Sequence, residues 1–536
     1  MKATLDAFQL KAPLNNEHPL CRFPARYLWL KKTLKLNDAN FPRPNCQNYR
    51  TFQEKVPLDD VQLVFASENI VSPSSMMGHV FFKLSGVNKD NKHVAHAVTY
   101  FTVFDSFNVP KIIYQNFFGG MSGIFALQPY QDLKHNYLDK EERNLWEYQL
   151  NLTPYQKQLL SAHIWELKGV KSDYLFVKYN CATITYILMA LIFPDVLKEK
   201  KHWLTPIDIV KIANQQHIIQ AIHVFTSDRW KISMLLDQFE GLNEFQKKID
   251  TLTEASLPKL MNHLKPQALL FSQAYLSYLN IHHHAQFLLK KELFESLQQS
   301  LSEQSKAYIL DYSNYKDPLQ APNNSQLDLS WGRSAKGGFM GISFLPAANR
   351  ITDDQGQFFS SRELRIADVE ARLYANRQLK LQRMTLYAVR NMNPWAYWNH
   401  AVSGQWKLGL EQHYNNVLQE KLVLNLSGGL GYSLNLSDDV RVALLYNVGV
   451  AGNLQKKYAY HGSNILLEVD EIADLKLTAE YEGWFRMYGA NARVDKAKLC
   501  ESYYPESNTT WLVCYEHISN KAYMTQNYQL LWQKHF

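Results

Sequence analysis

Two residues of this chain, a cysteine and a histidine, have the types and settings of a nucleophile pair. Cys181 comes just before the apolar run 184–193, which predicts a thiol in the first turn of a buried helix. Helix N-termini carry partial positive charge and unpaired N–H groups, which favour a thiolate over a thiol. His79 follows Gly78 at the start of the apolar strand 80–84. If strand and helix meet, His79 takes the thiol proton and Cys181 attacks an acyl carbon, in the papain-like manner.

Such a pair needs a third group to orient the imidazole and N–H donors for the oxyanion. The backbone N–H of Cys181 is a candidate oxyanion donor, and Asn180 precedes it at the helix start. The strand 93–100 is the natural place for the orienting group. The candidates for the orienting group are His96, Thr99, Tyr100, Asp173 and Tyr174. Each of them could equally be an ordinary polar residue of a strand or loop. Because the histidine precedes the cysteine, the order is permuted relative to papain.

The cysteines indicate the compartment. Two pairs are close in sequence and predict the disulfides Cys21–Cys46 and Cys500–Cys514, which leaves Cys181 free in an oxidising compartment. The alternative is five unpaired thiols in a cytosolic protein. No zinc-type cysteine spacing occurs, and the consecutive histidines 282–284 point in different directions on a helix. We therefore expect no metal site and no cofactor.

Size and charge narrow the function classes further. A chain of 536 residues with 46% hydrophobic and 20% charged residues predicts several folded domains. The net charge of +7 is scattered without a Lys/Arg block, which argues against nucleic-acid binding. The sequence contains no run of 18 apolar residues, so we expect no transmembrane helix. The first residues lack the apolar core of a secretory signal, so we expect a signal to have been removed or to lie upstream.

Changes in pattern divide the chain. Residues 1–55 are punctuated by proline and predict a disulfide-clipped lead-in. Residues 56–200 contain the thiol pair and begin with strands. Residues 140–310 are expected to be mostly helical, so that 201–310 form a helical extension. An Asn-, Pro- and Ser-rich linker is predicted over 311–326.

Residues 327–536 alternate at period two, in runs of about ten residues between turn signals. The clearest run is 475–488, where apolar residues from Leu475 to Met487 alternate with mostly polar ones. About twelve strands can be drawn, and the last ends on Phe536, with Lys534 interrupting its apolar row. This pattern and the 13% aromatic content predict an outer-membrane β-barrel. The alternative is a soluble β-sandwich or closed barrel packed on the helices.

Several blocks together resemble the DUF4105 family. Residues 72–81, Ser-Pro-Ser-Ser-Met-Met-Gly-His-Val-Phe, are similar to that family's Asn-Pro-Ser-Ser-Met-Phe-Gly-His-Thr-Phe motif. Further similar blocks follow in order across residues 60–200, and they are 118–120, 129–130, 142–152, 163–167, 173–174 and 180–181. The flanks resemble Gram-negative members that carry a C-terminal β-barrel.

The resemblance implies a fold and a chemistry. The family includes the Lnb lipoprotein N-acyltransferases, whose fold is similar to permuted NlpC/P60 or LRAT-like thiol enzymes. It implies that Cys181 is the nucleophile and His79 the base. We therefore expect an α+β papain-like periplasmic domain, tethered by an outer-membrane barrel, that transfers or hydrolyses acyl groups of lipids or lipoproteins through a Cys181 thioester. Two alternatives are a peptidoglycan or peptide amidase with the same pair, and a non-enzymatic barrel protein whose periplasmic domain binds a partner.

Overall fold

The computed structural model describes the whole chain except residues 69–75, 103–110, 112–113, 116–118, 176–178, 200, 202, 262–264, 306–311, 313–314, 359, 472–473 and 488–492. Residues 72–75 and 118 of the family-like blocks, parts of the predicted linker and residue 488 therefore lie outside the described residues. The chain divides into two compact units, an N-terminal unit that ends at residue 314 and a C-terminal unit from Tyr315 to Phe536. Among the described residues, no helix is both long and apolar enough to cross a membrane.

The N-terminal unit combines one antiparallel sheet with helices. The sheet has seven strands in the order β6-β4-β3-β2-β1-β5-β7. Its strands are β1 Asp60–Ala66, β2 His79–Val87, β3 His93–Thr102, β4 Met121–Pro129, β5 Leu145–Leu150, β6 Ser172–Tyr174 and β7 Ile219–Phe225. The helices are α1 Lys2–Phe8, α2 Pro19–Arg22, α3 Pro24–Leu34, α4 Gln47–Lys55, α5 Tyr130–His135, α6 Pro154–Glu166, α7 Cys181–Ile192, α8 Pro206–Gln215, α9 Asp228–Gln238, α10 Leu242–Asp250, α11 Leu257–Met261, α12 Pro266–His282, α13 His284–Leu288 and α14 Lys291–Ser305, with 3₁₀ turns at Asp38–Asn40 and Pro194–Lys198 and a π-helical turn at Asn136–Lys140.

Local sequence accounts for several of these boundaries. Thr153 caps α6 in a capping box with Gln156, and proline occupies the first helical position. A disulfide between Cys21 and Cys46 clips α2 to the start of α4, which confirms the predicted lead-in pairing. The expectation that 140–310 is mostly helical missed β5 and β7, which pair at one end of the sheet.

The C-terminal unit is a closed antiparallel barrel of twelve strands. Neighbours in sequence pair in turn, β20 pairs with β8, and β9 pairs with β11, which closes the ring. The short β10 pairs with β11 in addition. The bounds are β8 Gln326–Ser334, β9 Gly337–Leu345, β10 Ala347–Asn349, β11 Ser361–Tyr374, β12 Leu379–Met392, β13 Ser403–Tyr414, β14 Glu420–Asn435, β15 Val440–Gly452, β16 Lys457–Glu471, β17 Leu475–Arg486, β18 Arg493–Glu506, β19 Thr509–Ser519 and β20 Met524–His535, with a 3₁₀ turn at Pro318–Gln320. The predicted number of strands is confirmed.

The two faces of the barrel wall differ in the way the period-two pattern predicts. Apolar residues of alternate positions face outward, and Leu430 and Val448 are 69% and 55% exposed. Polar residues between them are buried in the interior, among them Asn425 and Glu468. A soluble protein rarely exposes such continuous apolar rows, whereas a membrane barrel needs them. The second predicted disulfide, Cys500–Cys514, joins neighbouring strands of the wall.

A short segment after β10 occupies the interior of the barrel. Lys476 donates to the carbonyl of Ile351 at 2.8 Å, and the Tyr504 hydroxyl donates to that of Thr352 at 2.8 Å. The buried carboxylate of Asp353 accepts a hydrogen bond from Gln533 at 2.9 Å. The segment is thus held by strands distant in sequence, and it narrows the interior.

Candidate active site

Cys181 is the first residue of α7, as the sequence predicts. The side chain of Asn180 caps the helix by accepting the N–H of Thr183 at 2.9 Å, and it donates to the carbonyl of Leu204 at 3.3 Å. An asparagine cap satisfies one of the N–H groups that a helix start leaves unpaired. Asn180 therefore fixes the helix start, and with it the position of the thiol. Cys181 itself is buried and is the free cysteine of the chain.

Gly78 determines how His79 enters β2. Its φ of +82° is a left-handed conformation that side chains other than glycine adopt at a cost. A Cβ there would lie 2.6 Å from the Phe65 ring and 2.8 Å from the carbonyl oxygen of Ala66. The chain can therefore turn closely against β1, where His79 pairs with Ala66.

The imidazole of His79 lies among aromatic rings. Its centroid is 5.8 Å from that of Phe81, the next residue on the same face of β2, and 6.4 Å from that of Tyr137. Tyr137 belongs to the π-helical turn and also stacks on Phe81 at 6.1 Å. The ring is thereby held in an apolar setting.

The thiol lies against the strand that carries the histidine. The backbone N–H groups of Val80, the residue after His79, and of Ala182 and Cys181 itself lie near the Cys181 sulfur and act to lower the pKa of the thiol. One turn further along the helix, the Thr185 hydroxyl donates to the carbonyl of Val80 at 3.2 Å. The structure therefore brings the start of α7 onto the start of β2, the juxtaposition that the predicted pair requires.

A buried guanidinium lies at the same place. Arg143 donates to the carbonyls of Ser67 and Ala66 at 2.5 and 3.1 Å, and it forms an ion pair with Glu141 at 3.0 Å. Its guanidinium carbon is 4.7 Å from the centre of the Tyr137 ring. Arg143 thus ties the end of β1 to the π-helical turn and places a fixed positive charge beside the pair.

Both members of the pair are in their neutral forms at neutral pH. Burial raises the pKa of the Cys181 thiol, although the three N–H donors and the charge of Arg143 act in the opposite direction. Burial and, second, Arg143 lower the pKa of the His79 imidazole to about 3. The donors expected at the helix start are present, but the predicted preference for a thiolate is wrong for the resting site, because desolvation outweighs them.

Two of the suggested orienting residues lie on opposite faces of β3. Because Lys83 pairs with Ala97, Thr99 shares the face of the sheet to which His79 belongs. The buried hydroxyl of Thr99 has no hydrogen-bond partner among the described residues. His96 lies on the other face, and its Nδ1 is likewise buried without a described partner. By face, Thr99 is the better placed of the two beside His79.

The two tyrosines form a stacked pair. Tyr100 stacks on Tyr174 with centroids 5.6 Å apart, and its hydroxyl bonds the Ser172 hydroxyl at 2.8 Å and donates to the Asp173 carbonyl at 3.0 Å. Burial is the main cause that raises the pKa of Tyr174, and a charge on Cys181 would raise this pKa further. Tyr100 lies on the face of β3 opposite to Thr99.

Sequence reasoning missed Tyr137 and Arg143, which contact the site through tertiary packing alone. It also missed a buried network behind the pair. Glu147 in β5 forms an ion pair with Lys83 at 2.6 Å and accepts a hydrogen bond from the Tyr130 hydroxyl. The aromatic residues Trp146 and Tyr148, of types that are enriched in strands, are the sequence signal for that strand.

No metal centre is built from the described residues, in which no group of three His, Cys, Asp or Glu side chains could hold an ion. Of the three consecutive histidines, His282 lies 3.4 Å from Glu142, and His284 at the start of α13 hydrogen-bonds to the carbonyl of Asn280 in α12.

Three family models match parts of the chain. Residues 48–216 match the family model of the Lnb N-terminal periplasmic domain. Residues 1–33 and 315–517 match two domains of unknown function, DUF7843 and DUF7840. No curated protein matches the chain.

Among solved structures, two porins and an outer membrane protein are similar to part of this chain. The NanC porin is 8% identical with a TM-score of 0.27, covering 39% of this chain and 99% of its own. The KdgM porin, in complex with disordered oligogalacturonate, is 17% identical with a TM-score of 0.24 and coverages of 39% and 99%. A loop deletion mutant of OmpT from Vibrio cholerae is 10% identical with a TM-score of 0.22 and coverages of 40% and 97%.

The location follows from the barrel exterior and the family of the thiol domain. A closed barrel with continuous outward apolar rows requires a hydrocarbon surround, and the matching domain is periplasmic. The protein thus lies in the outer membrane with a periplasmic domain. Residues 48–216 match the Lnb N-terminal periplasmic domain family, and in this chain an outer-membrane-type barrel of twelve strands follows them.

Proposed function

We propose that residues 48–216 form a permuted papain-like thiol enzyme that transfers or hydrolyses acyl groups of lipids or lipoproteins. The observation that carries this proposal is the seating of the Cys181 sulfur on the N–H of Val80, directly after His79. A thiol used only for packing would not need a helix start, an asparagine cap and an adjoining imidazole. The membrane barrel supports a substrate that is itself membrane-bound.

The chemistry starts from the neutral pair. As Cys181 attacks an acyl carbon, its proton passes to His79, and the new S–C bond leaves negative charge on the acyl oxygen. The N–H groups around the sulfur, those of Val80, Cys181 and Ala182, are the candidate donors for that oxygen. When the C–O or C–N bond to the leaving group breaks, His79 returns the proton to it, and a thioester on Cys181 remains. Water or an acceptor hydroxyl or amine then resolves the thioester through the same base.

Arg143 acts on this chemistry as a positioning residue. Its charge lowers the pKa of both Cys181 and His79, so it favours proton loss from the thiol and disfavours a protonated imidazole before substrate arrives. A base that is neutral at rest can accept the thiol proton at once. The hydrogen bonds of Arg143 to β1 also hold that strand beside β2.

The test uses the full chain in nanodiscs and in cells that lack the native protein. Cys181→Ala and His79→Gln are compared with His135→Gln, a control at the exposed end of α5. In the purified wild type, intact mass after incubation with lipid should show an added acyl group on Cys181 that hydroxylamine removes. Cys181→Ala should show none, and His79→Gln should form it at least 100-fold more slowly.

Cellular readouts separate the alternatives. Lipoprotein N-termini and phospholipids should change in the Cys181→Ala strain, whereas muropeptides should not. A change confined to muropeptides would instead establish the amidase. If the variant leaves lipids, lipoproteins and muropeptides as they are in the wild type, the site is not catalytic.

A further inference from the structure

A deep groove opens on one face of the sheet in the N-terminal unit. Its volume is about 740 Å³, within the range of small-molecule sites. The floor is formed by apolar residues of β3 and β4, and the walls by α4 and the end of α6. The apolar residues that line it are Phe52, Val56, Val98, Phe125, Leu127, Pro129, Ile164, Trp165 and Leu167.

The walls are fixed in place by the lead-in. The disulfide Cys21–Cys46 ends at the residue before α4, and the Trp165 indole donates to the carbonyl of Cys21 at 2.9 Å. The Trp165 ring also lies 5.7 Å from the ring of Tyr49 and 5.5 Å from that of Phe52. The groove is therefore built by tertiary contacts that span the lead-in and the thiol domain.

The floor of the groove continues along β3 to Tyr100. Alternate residues of β3 face one side of the sheet, and each pairs with a floor residue of β4: His96 with Pro129, Val98 with Leu127, and Tyr100 with Phe125. The Tyr100 and Phe125 rings are 4.7 Å apart. Tyr100 stacks on Tyr174 with ring centroids 5.6 Å apart. From His96 to Tyr100 the strand advances about 13 Å, so the row of side chains extends the floor of the groove as far as Tyr174.

The lining of the groove also contains two cations. Lys55, the last residue of α4, and Lys168, just beyond α6, are both exposed. His96 adds a buried Nδ1 with no hydrogen-bond partner among the described residues. An apolar floor with cations in its walls matches an amphiphile with a long apolar chain and an anionic head.

We propose that this groove binds a fatty acyl chain of an anionic phospholipid, with the phosphate between Lys55 and Lys168 and the acyl carbonyl directed past Tyr100 and Tyr174 to Cys181. The proposal rests on the proposed function, to which it adds the acyl donor. A peptide or a lipoprotein chain in the same place is an outcome that the test below distinguishes.

The test is photo-crosslinking in nanodiscs with the full chain and phosphatidylglycerol that carries a diazirine in one acyl chain. Cross-linked peptides should contain residues of β3, β4 or α6 that line the groove. Leu127→Glu, a change at a floor residue that is 38% exposed, should reduce this cross-link at least tenfold. The matched control is Ile124→Glu on the same strand and the opposite face, which is 39% exposed and should leave the cross-link within twofold of the wild type.

The headgroup is tested with phosphatidylcholine that carries the same diazirine. It should cross-link at least fivefold less than phosphatidylglycerol, and Lys55→Glu together with Lys168→Glu should remove the difference. Equal labelling by both lipids in the wild type would refute the proposed preference for an anionic headgroup. Loss of labelling when an acylated lipopeptide is added, with no lipid cross-link in its absence, would assign the groove to lipoprotein.

The experiments distinguish a failure of the proposed lipid binding in the groove from a failure of the proposed enzymatic function. Cys181→Ala should retain the groove cross-link while it abolishes the acyl-enzyme, because binding does not need the thiol. Cross-links elsewhere in a protein that still forms the acyl-enzyme would overturn the groove alone. Groove cross-links in a protein whose acyl transfer does not depend on Cys181 would overturn the proposed function alone.

Discussion

Replacing Gly78 by alanine tests whether the close turn before His79 holds the site together. At φ +82° a residue with a Cβ costs about 1–2 kcal/mol more than glycine. The added Cβ would also lie 2.6 Å from the Phe65 ring and 2.8 Å from the Ala66 carbonyl oxygen, and overpacking of this kind costs about 1–3 kcal/mol. We expect Gly78→Ala to destabilise the N-terminal unit by about 2–5 kcal/mol in total.

The chain contains its own probe for this measurement. Cys181 is buried and free, and the other four cysteines are paired in disulfides. A thiol reagent therefore reports the opening of the N-terminal unit without interference from the barrel. Since every 1.4 kcal/mol is tenfold, labelling of Gly78→Ala should be about 30-fold to 4,000-fold faster than that of the wild type.

Gly241 supplies the matched control. Its φ is also +82°, but a Cβ there would meet no atom within 4 Å. Gly241→Ala therefore carries the conformational cost without the overlap, and should accelerate labelling by about 30-fold at most. If Gly78→Ala labels no faster than Gly241→Ala, the overlap with β1 does not hold the strand in place, and the reasoning is refuted.

Three further predictions concern protonation, the buried network and the barrel. Because His79 has a folded pKa of about 3 against 6.5 when unfolded, the unfolded state binds more protons between these values, so stability falls as the pH drops below 6.5. The opening free energy, read by Cys181 with a disulfide reagent that reacts at acid pH, should fall by about 2 kcal/mol from pH 7 to 5, and clearly less in His79→Gln. Lys83→Met leaves the buried Glu147 carboxylate without its cation and should lower the opening free energy by about 3–5 kcal/mol in the same assay. The double variant Lys83→Met with Glu147→Leu should recover most of that free energy. An equal loss of opening free energy in the single and the double variant would contradict the pairing. In planar bilayers the wild-type barrel should show no porin-sized conductance, and replacing residues 350–355 by a Gly/Ser linker should increase it; equal conductance in both would mean that this segment does not restrict the interior.

The barrel is the part of the fold that the sequence predicts best. Each wall residue faces either the lipid or the interior of the barrel. Apolar and polar residues therefore alternate along a strand, as they do from Leu475 to Arg486, and this alternation can be seen in the sequence. The interior segment at 350–355 could not be predicted in this way. Its partners Lys476 and Tyr504 are 125 and 152 positions away from the carbonyls they bind, and no local pattern encodes such contacts.

The residues of the candidate site also differ in whether local sequence can predict them. Local features mark Cys181 and Gly78, because a helix start and a tight turn each demand particular residue types. Arg143 has no such signature, since its carbonyl partners lie 76 and 77 positions away. The strand Leu145–Leu150 was assigned to a helical region because its residues are buried on both faces, which weakens the alternation that identifies a strand.

The protonation state of Cys181 shows why the rest of the site depends on tertiary structure. A helix N-terminus contributes about 0.3–1 kcal/mol to a charge beside it, which is less than one pKa unit. Full burial moves a pKa by up to about 3–5 units, and it acts in the opposite direction on an acid. The sequence reveals the first effect and not the second, because burial depends on the packing of α7 against strands distant in sequence, such as β2, where the Val80 carbonyl accepts from Thr185. The thiol therefore rests neutral beside a neutral imidazole, and its activation must occur in the encounter with the acyl group itself.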